Sequence, residues 1–404
     1  MIRWPATSYA LAVAWLAAVA CAAIGCAHPA ASSPSPAPPP AAAGEPFGDP
    51  TGMMIALEDV RGIYLPKRPR MVPLDDAAFT EACLKNRRAV AWHVGDEADW
   101  QASGRAGQAE TSFRADCVVT VAFYERAGDR VVLRRDTFAR LPQPKQVELV
   151  AHELVHALQV HALPPPPPEM TTDARFALAA LVEGDANVTT LAFVLKLEGK
   201  SLASERARLW TGISAREARS LRDMRFFQDW LGARFVLELY QRGGFAAVDD
   251  AFAHPPKSTA EIIHANRYLE PQAPPTNVST QLPLPAPFAT FGTLVFGERG
   301  MRGILAECVP PDVAMEVAAE WDGDEITVAK SPPSVTPMRR WVTAWRSEEA
   351  AKRFGEVVGA SNVCLFHGGA SIAARGRVVV IVTGAEAAVR QRHAREVLAD
   401  VLQP

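Results

Sequence analysis

The spacing of hydrophobic and polar residues predicts a mainly helical folded region that contains one β-hairpin. Apolar side chains at helical spacing predict helices over residues 75–86, 144–163, 172–199, 201–221 and 226–242, with a more polar helix over 257–268. Two runs rich in β-branched and aromatic residues, 117–124 and 131–134, predict strands. The turn-forming residues between them, 126–130, predict that these strands form the hairpin.

The C-terminal part of the chain follows a proline-rich stretch, 271–287, which we interpret as a domain boundary. Beyond it the pattern predicts helices over 297–306, 312–320, 348–358 and 386–402, and strands over 325–329, 341–345 and 378–382. The last strand has no polar alternation, which is typical of a central strand. The chain is therefore expected to form a larger domain at 51–275 and a small α/β domain at 276–404.

The first fifty residues predict export. Residues 4–27 are uncharged and follow a single Arg, which is typical of a signal peptide, here 1–25. The segment ends in Ala-Ile-Gly-Cys, which resembles the lipobox of bacterial lipoproteins and makes Cys26 the expected lipidation site. Cys21 is a weaker choice, and a plain cleaved signal or an uncleaved anchor are the alternatives. The Ala/Pro-rich residues 26–50 are expected to form a semi-rigid tether from the membrane to the folded domains.

The composition excludes several classes of protein. With 49% hydrophobic and 22% charged residues the chain is neither disordered throughout nor fibrous. Only one stretch lacks charged residues for long enough to span a bilayer, which excludes a polytopic membrane protein. The 42 Lys and Arg residues against 45 Asp and Glu give a net charge of -3, so nucleic acid is not expected as a partner. The expected location is the cell envelope, on the outer membrane or the periplasmic side, through the lipid anchor.

Cysteine usage agrees with export, because an oxidising compartment permits disulfides. Four cysteines remain if Cys21 is removed and Cys26 is lipidated, and they form one pair in each half of the chain. We therefore predict the disulfides Cys83–Cys117 and Cys308–Cys364. Four cysteines allow three pairings, and four buried free thiols are the alternative.

The clearest chemical signal is the string HELVH at residues 152–156. On a helix His152 and His156 lie on one face, at a spacing that suits a single metal ion. Glu153 is offset enough to reach a water bound to that ion, as the general base of a metal-dependent hydrolase. The alternative is a surface helix with two solvated histidines. The apolar residues around the motif argue against it, because they predict a largely buried helix.

A third ligand is expected at Glu183, within a helix that is apolar nearly all round. A buried carboxylate is costly unless it is paired or binds a metal, so a salt bridge with an Arg is the alternative. Asn187 lies one turn further on the same face and is expected to support the site. Asp185 either orients a ligand histidine or caps a local backbone group. Two His and one Glu suit Zn²⁺ best, with Mn²⁺, Co²⁺ or Ni²⁺ as alternatives.

The strings HELVHALQ and, some thirty residues later, ALVEGDA resemble a family of exported bacterial and archaeal proteins of the gluzincin type, many described only as lipoproteins or zinc metalloproteases. Three further stretches fit the resemblance: 121–124 as a strand on the substrate side, 243–248, and 257–268. The resemblance implies an α+β fold in which a mainly helical, zincin-like metallopeptidase domain with a small N-terminal β-hairpin region precedes the small α/β domain. It also implies that His264 and Tyr268 stabilise the oxyanion, although such a pair is more often two ordinary surface groups.

We therefore expect a zinc-dependent peptidase of the cell envelope that acts on a peptide or protein substrate. Ala260, Glu261 and Ala265 depart from the family pattern in the segment 257–268. These departures favour the alternative of a catalytically inactive zinc-binding lipoprotein with a structural or binding role. Hydrolysis of a cell-wall amide is a third possibility, because the same chemistry serves any amide.

Overall fold

The computed structural model describes residues 50–89, 109–167, 169–203, 211–213, 216–270, 273–331, 337–366 and 369–402. The expected signal peptide, most of the tether and the expected lipidation site at Cys26 lie outside these residues. Much of the helix predicted over 201–221 lies outside them as well.

The N-terminal half is built mainly of helices. Their bounds are α1 Thr51–Arg61, α2 Asp76–Ala89, α3 Ala109–Val119, α4 Arg135–Ala139, α5 Gln143–Ala162, α6 Thr172–Leu197, α7 Gly232–Ala253, α8 Thr259–Ile263 and α9 Ala265–Leu269. A π-helical turn, Phe226–Leu231, leads directly into α7. Strands β1 Arg70–Leu74, β2 Ala122–Glu125 and β3 Arg130–Arg134 form a small sheet in the order β1-β3-β2. β2 and β3 pair antiparallel, so the predicted hairpin is present.

The C-terminal half is a five-stranded sheet with helices packed on it. Its helices are α10 Gly297–Leu305, α11 Pro311–Ala318, α12 Glu348–Ala360, α13 Asn362–Phe366 and α14 Ala387–Val401. Its strands are β4 Ala289–Leu294, β5 Trp321–Lys330, β6 Met338–Trp345, β7 Ala370–Arg375 and β8 Val378–Thr383. The strand order is β4-β5-β6-β8-β7, and β8 is an interior strand as its sequence predicted. Every pair is antiparallel, so this half is α+β and the prediction of an α/β domain is wrong.

Three predicted elements differ from the structure. The strand predicted over 117–124 is wrong at its start, because 109–119 form α3 and only 122–125 are extended. The helix predicted over 257–268 is divided into α8 and α9 at His264, whose backbone angles (φ -120°, ψ 79°) are not helical. The helix predicted over 226–242 begins as the π turn and continues to residue 253 across a kink at Gly243 and Gly244.

α6 is the central helix of the N-terminal half. The hydroxyl of Thr171 caps its first turn by accepting from the backbone N–H of Ala174 over 3.1 Å. The helix is long and apolar enough to cross a membrane, but 78% of its most hydrophobic window is buried within the protein, as in the core helix of a soluble domain. It packs against α5 on one side and against α7 and the π turn on the other.

Both predicted disulfides are present. Cys83–Cys117 joins α2 to α3 inside a small apolar cluster, and Cys308–Cys364 joins the segment after α10 to α13. Disulfides in these positions indicate an oxidising, extracytoplasmic compartment.

The two halves meet at the start of α10. The carboxylate of Glu298 is fully buried there and accepts hydrogen bonds from His264 (2.8 Å) and Arg267 (2.9 Å) of the N-terminal half. Arg302, one turn further along α10, binds both Glu298 and Glu217. The contact between the halves is therefore a hydrogen-bonded ionic network that accompanies the apolar packing.

Candidate metal centre

The two histidines of HELVH project together from α5. Pro144 lies in the first turn of this helix, where its missing N–H is not needed, and the face that carries Leu154, Val155 and Leu158 is buried in the core. The opposite face presents His152 and His156, one turn apart. Their Nε2 atoms are 3.1 Å from each other and their ring planes are nearly perpendicular.

Glu183 on α6 completes a group of three. Its Oε2 atom lies 3.3 Å from Nε2 of His152 and 3.6 Å from Nε2 of His156. A tetrahedral ion with bonds of about 2.0–2.2 Å holds its ligand atoms roughly 3.3–3.6 Å apart. The two separations that involve Glu183 match the edges of such a tetrahedron, and the 3.1 Å between the two Nε2 atoms is slightly shorter than its edge. All three side chains keep between 15% and 21% exposure, so the site is sheltered but open to solvent.

The electrostatics of this group favour a cation at its centre. Burial opposes a charge on His156, but the carboxylate of Glu183 outweighs it and raises the pKa of His156 to about 9. Burial likewise opposes ionisation of Glu183, and the two imidazoles reverse it, so the pKa of Glu183 lies well below its usual value. The Nε2 atoms of His152 and His156 are so close that one must carry a proton and donate it to the other. A divalent ion between them would replace this proton and accept the lone pairs of both nitrogens.

The candidate base, Glu153, lies beside this group, between α5 and β2. Its Oε2 atom accepts the backbone N–H of Tyr124 over 2.8 Å, and the side chain is buried. Its negative charge also acts on His156. The carboxylate is therefore held next to the three candidate ligands by one fixed hydrogen bond through Oε2.

Asp185 does not contact an imidazole directly. It is fully buried and accepts from Arg61 (3.1 Å), Thr189 (3.2 Å) and the side-chain amide of Gln159 (2.9 Å). The same amide contacts His156, so Gln159 connects Asp185 to that imidazole.

Asn187 faces the π turn. Its Nδ2 atom donates to the backbone carbonyl of Asp229 over 3.1 Å. It supports the position of that turn beside α6 and is not hydrogen-bonded to the three candidate ligands.

The sequence did not point to Asp229, which the fold brings close to the candidate metal centre. α6 and α7 cross at Gly184 and Gly232, where a methyl group on either residue would overlap the backbone of the other helix. The crossing places the π turn beside Glu183. Burial, and next the charge of Glu183, raise the pKa of Asp229 to about 7. A π turn is often found at functional sites, but the sequence pattern predicted an ordinary helix here and gave no indication of the turn.

The structure places the predicted oxyanion groups against other partners. Nε2 of His264 donates to Oε1 of Glu298 over 2.8 Å, at the contact between the two halves. The hydroxyl of Tyr268 donates to the backbone carbonyl of His254 over 2.9 Å. The break at His264 also removes the helical spacing on which the pair was predicted.

A family model described as "Domain of unknown function (DUF8575)" matches residues 288–401. This match covers the five-stranded sheet and its helices and leaves out the candidate metal centre. No curated protein and no solved structure is similar enough to this chain to give a match.

Proposed function

We propose that this protein is a zinc-dependent peptidase. The observation that carries the proposal is the convergence of His152, His156 and Glu183, whose candidate ligand atoms lie 3.1 to 3.6 Å apart, close to the roughly 3.3–3.6 Å of a tetrahedral zinc site. Two neutral imidazoles and one carboxylate leave a fourth position for water, which is the composition of catalytic zinc sites. The resemblance of HELVHALQ and ALVEGDA to gluzincins supports the same assignment and a zincin-like domain.

A zinc ion in this position would supply Lewis-acid activation of a water molecule and of the scissile carbonyl. Glu153 is the residue of this chain that moves the proton. Because the amide of Tyr124 holds Oε2, the other carboxylate oxygen accepts the proton of the attacking water. Glu153 then returns it to the leaving amine nitrogen as the carbon–nitrogen bond breaks.

The small sheet supports a peptide as the substrate. Within the described residues β2 is an edge strand, and its Tyr124 amide touches Glu153. This strand corresponds to the stretch 121–124 that resembles the substrate-side strand of the family. An extended peptide that adds to the unpaired edge of a strand gains backbone hydrogen bonds without side-chain specificity.

The disulfides require an oxidising compartment, and the N-terminal segment resembles that of a lipoprotein. We therefore place the activity in the cell envelope, on a domain tethered through Cys26.

The experiment is to measure the zinc content and the peptide hydrolysis of the chain from residue 45 onward, beside Glu183→Ala. Glu169→Ala is the control, because Glu169 is an exposed carboxylate in the loop before α6. One zinc per chain and hydrolysis of a peptide pool, both lost only in Glu183→Ala, would support the proposal. A folded, zinc-supplemented protein without zinc would overturn it. Activity on purified peptidoglycan but not on peptides would redirect it to a cell-wall amide.

One observation favours a second function, a zinc-binding protein without catalysis. His264 and Tyr268, the residues expected to stabilise the oxyanion, are both hydrogen-bonded elsewhere. In that case zinc raises the melting temperature by binding only the folded state. A large loss of thermal stability with chelator, together with no hydrolysis of any peptide, would identify this function.

A further inference from the structure

The side chain of Gln159 touches both helices that carry the candidate ligands. Its Oε1 atom lies 2.8 Å from Nδ1 of His156, one turn earlier on α5. Its Nε2 atom donates to the carbonyl of Val182 and to the carboxylate of Asp185, each over 2.9 Å. These two acceptors belong to α6 and flank Glu183, so one amide connects the histidine ligand to the carboxylate ligand.

The partners of Gln159 fix which way the amide faces. A backbone carbonyl and a carboxylate only accept hydrogen bonds, so both must face the NH₂ group. The amide oxygen is then left facing the imidazole, and Nδ1 of His156 must be the donor. This holds for the neutral ring and for the protonated ring. In the neutral ring the lone pair is on Nε2, the atom that faces His152 and Glu183.

Asp185 is itself held in place. Arg61, at the end of α1, donates to Asp185 over 3.1 Å and pairs with Asp249 over 2.5 Å. The side chains of Arg61 and Asp185 are almost completely buried, and the low dielectric of the protein interior strengthens the hydrogen bond between them. Thr189 donates to the same carboxylate. The chain of contacts therefore runs from Arg61 through Asp185 and Gln159 to His156.

We propose that Gln159 is a positioning residue for the metal centre, which fixes the tautomer of His156 and holds α5 and α6 at the separation that the ligands need. This proposal rests on the proposed function. It assigns Asp185 and Arg61 an indirect part, since they act on the metal through the Gln159 amide. Partners of this kind typically change metal affinity by about 10–100-fold when they are removed.

The test uses Gln159→Met, which keeps the length of the side chain and removes its donor and acceptor groups. Gln146→Met is the matched control, because Gln146 lies on the same helix and donates to the carbonyls of Phe138 and Leu141. The measurements are zinc affinity by competition with a chromophoric chelator, the visible spectrum of the Co²⁺-loaded protein, and the melting temperature of the metal-free protein.

We expect Gln159→Met to lower zinc affinity by about 10–100-fold and to shift the Co²⁺ bands. Gln146→Met should leave zinc affinity and the Co²⁺ bands unchanged. It should lower the melting temperature of the metal-free protein by about as much as Gln159→Met does. Asp185→Asn provides a milder second variant, because the Val182 carbonyl still accepts from the Gln159 amide. Its loss of zinc affinity should lie between those of Gln146→Met and Gln159→Met. Equal affinities in Gln159→Met and Gln146→Met, or unchanged Co²⁺ bands, would overturn the positioning role.

The outcomes separate this proposal from the proposed function. Normal zinc affinity in Gln159→Met with wild-type peptide hydrolysis would leave the peptidase and reject the role of Gln159. Reduced affinity in a protein whose wild type hydrolyses no peptide would leave the positioning role and reject the peptidase. No zinc in the wild type would reject both.

Discussion

The backbone N–H of Tyr124 donates to the carboxylate of Glu153 across 2.8 Å, and this bond joins the edge strand β2 to the helix of the candidate metal centre. A substitution that keeps an acceptor at this position can therefore remove the base without disturbing the fold. Gln is such a residue, since its amide oxygen accepts the same N–H.

We expect Glu153→Gln to lower peptide hydrolysis by about 10²–10⁴-fold, the usual contribution of a general base. Zinc content and melting temperature should stay at the wild-type values, because the three ligands and the Tyr124 bond remain. The measurement is the initial rate on an unfolded protein substrate, with metal content from the same sample. Unchanged hydrolysis in the variant would show that another residue takes the proton.

The close crossing of α6 and α7 predicts that adding one methyl group there lowers both the stability of the protein and its affinity for zinc. Gly184 follows the candidate ligand Glu183, and a methyl group there would overlap the backbone of Gly232. We expect Gly184→Ala to cost about 1–3 kcal/mol of stability through overpacking and to weaken zinc binding by displacing Glu183. Chemical denaturation and chelator competition would measure the two effects.

The control for that substitution is Gly355→Ala on α12. A methyl group at Gly355 meets no atom within 4 Å, so it should stabilise the protein by about 0.5–1 kcal/mol through helix propensity. A destabilisation of similar size in both variants would contradict the close approach of α6 and α7.

Asp173, at the start of α6, predicts a pH dependence of stability. Burial raises its pKa to about 7 against the two hydrogen bonds from Thr259, and the carboxylates of Asp324 and Glu298 raise it further. The folded protein thus holds a proton that the unfolded chain releases above its ordinary pKa. Between that value and about 7 this group lowers stability as pH rises, by at most about 1.4 kcal/mol per pH unit.

We therefore expect Asp173→Asn to flatten the decline of stability over this pH range. The exposed Asp59 provides the control, because Asp59→Asn should keep the wild-type slope. Urea denaturation at a series of pH values measures both. Parallel slopes for Asp173→Asn and wild type would show that Asp173 does not hold the proton.

Each disulfide closes a long loop, of 34 residues for Cys83–Cys117 and of 56 for Cys308–Cys364. The chain-entropy relation predicts a stabilisation of about 4 kcal/mol from either bond. We expect the Ser variants of each pair to lose a comparable amount in denaturant titrations. A reductant should have no further effect on the protein that lacks both bonds.

The sequence was sufficient where the structure depends on local pattern. The helix from Thr172 is marked by its polar cap and its nearly continuous apolar surface, and the spacing of HELVH alone predicts that His152 and His156 lie side by side. Glu183 was also foreseeable, because a carboxylate in so apolar a helix needs a partner. In each of these cases the evidence lies within one turn or one helix.

The sequence was insufficient where contacts join distant parts of the chain. Asp229 approaches Glu183 only because two glycines 48 positions apart let their helices cross closely. The residues 117–119 favour a strand by type, yet Cys117 is fixed by its disulfide to α2 and lies in a helix. His264 breaks its helix where it reaches Glu298 in the other half of the protein.

The buried Glu298 bears on how this protein could have been assembled in evolution. The matching family model begins at residue 288, yet two of the groups that neutralise Glu298, His264 and Arg267, precede that point. A gene fusion that joined residues 288–401 to a different domain would leave Arg302 as the only one of these three groups that neutralises the carboxylate. Relatives that carry this region without the helical half should therefore have replaced the acid, or should have acquired a new cation to accompany it.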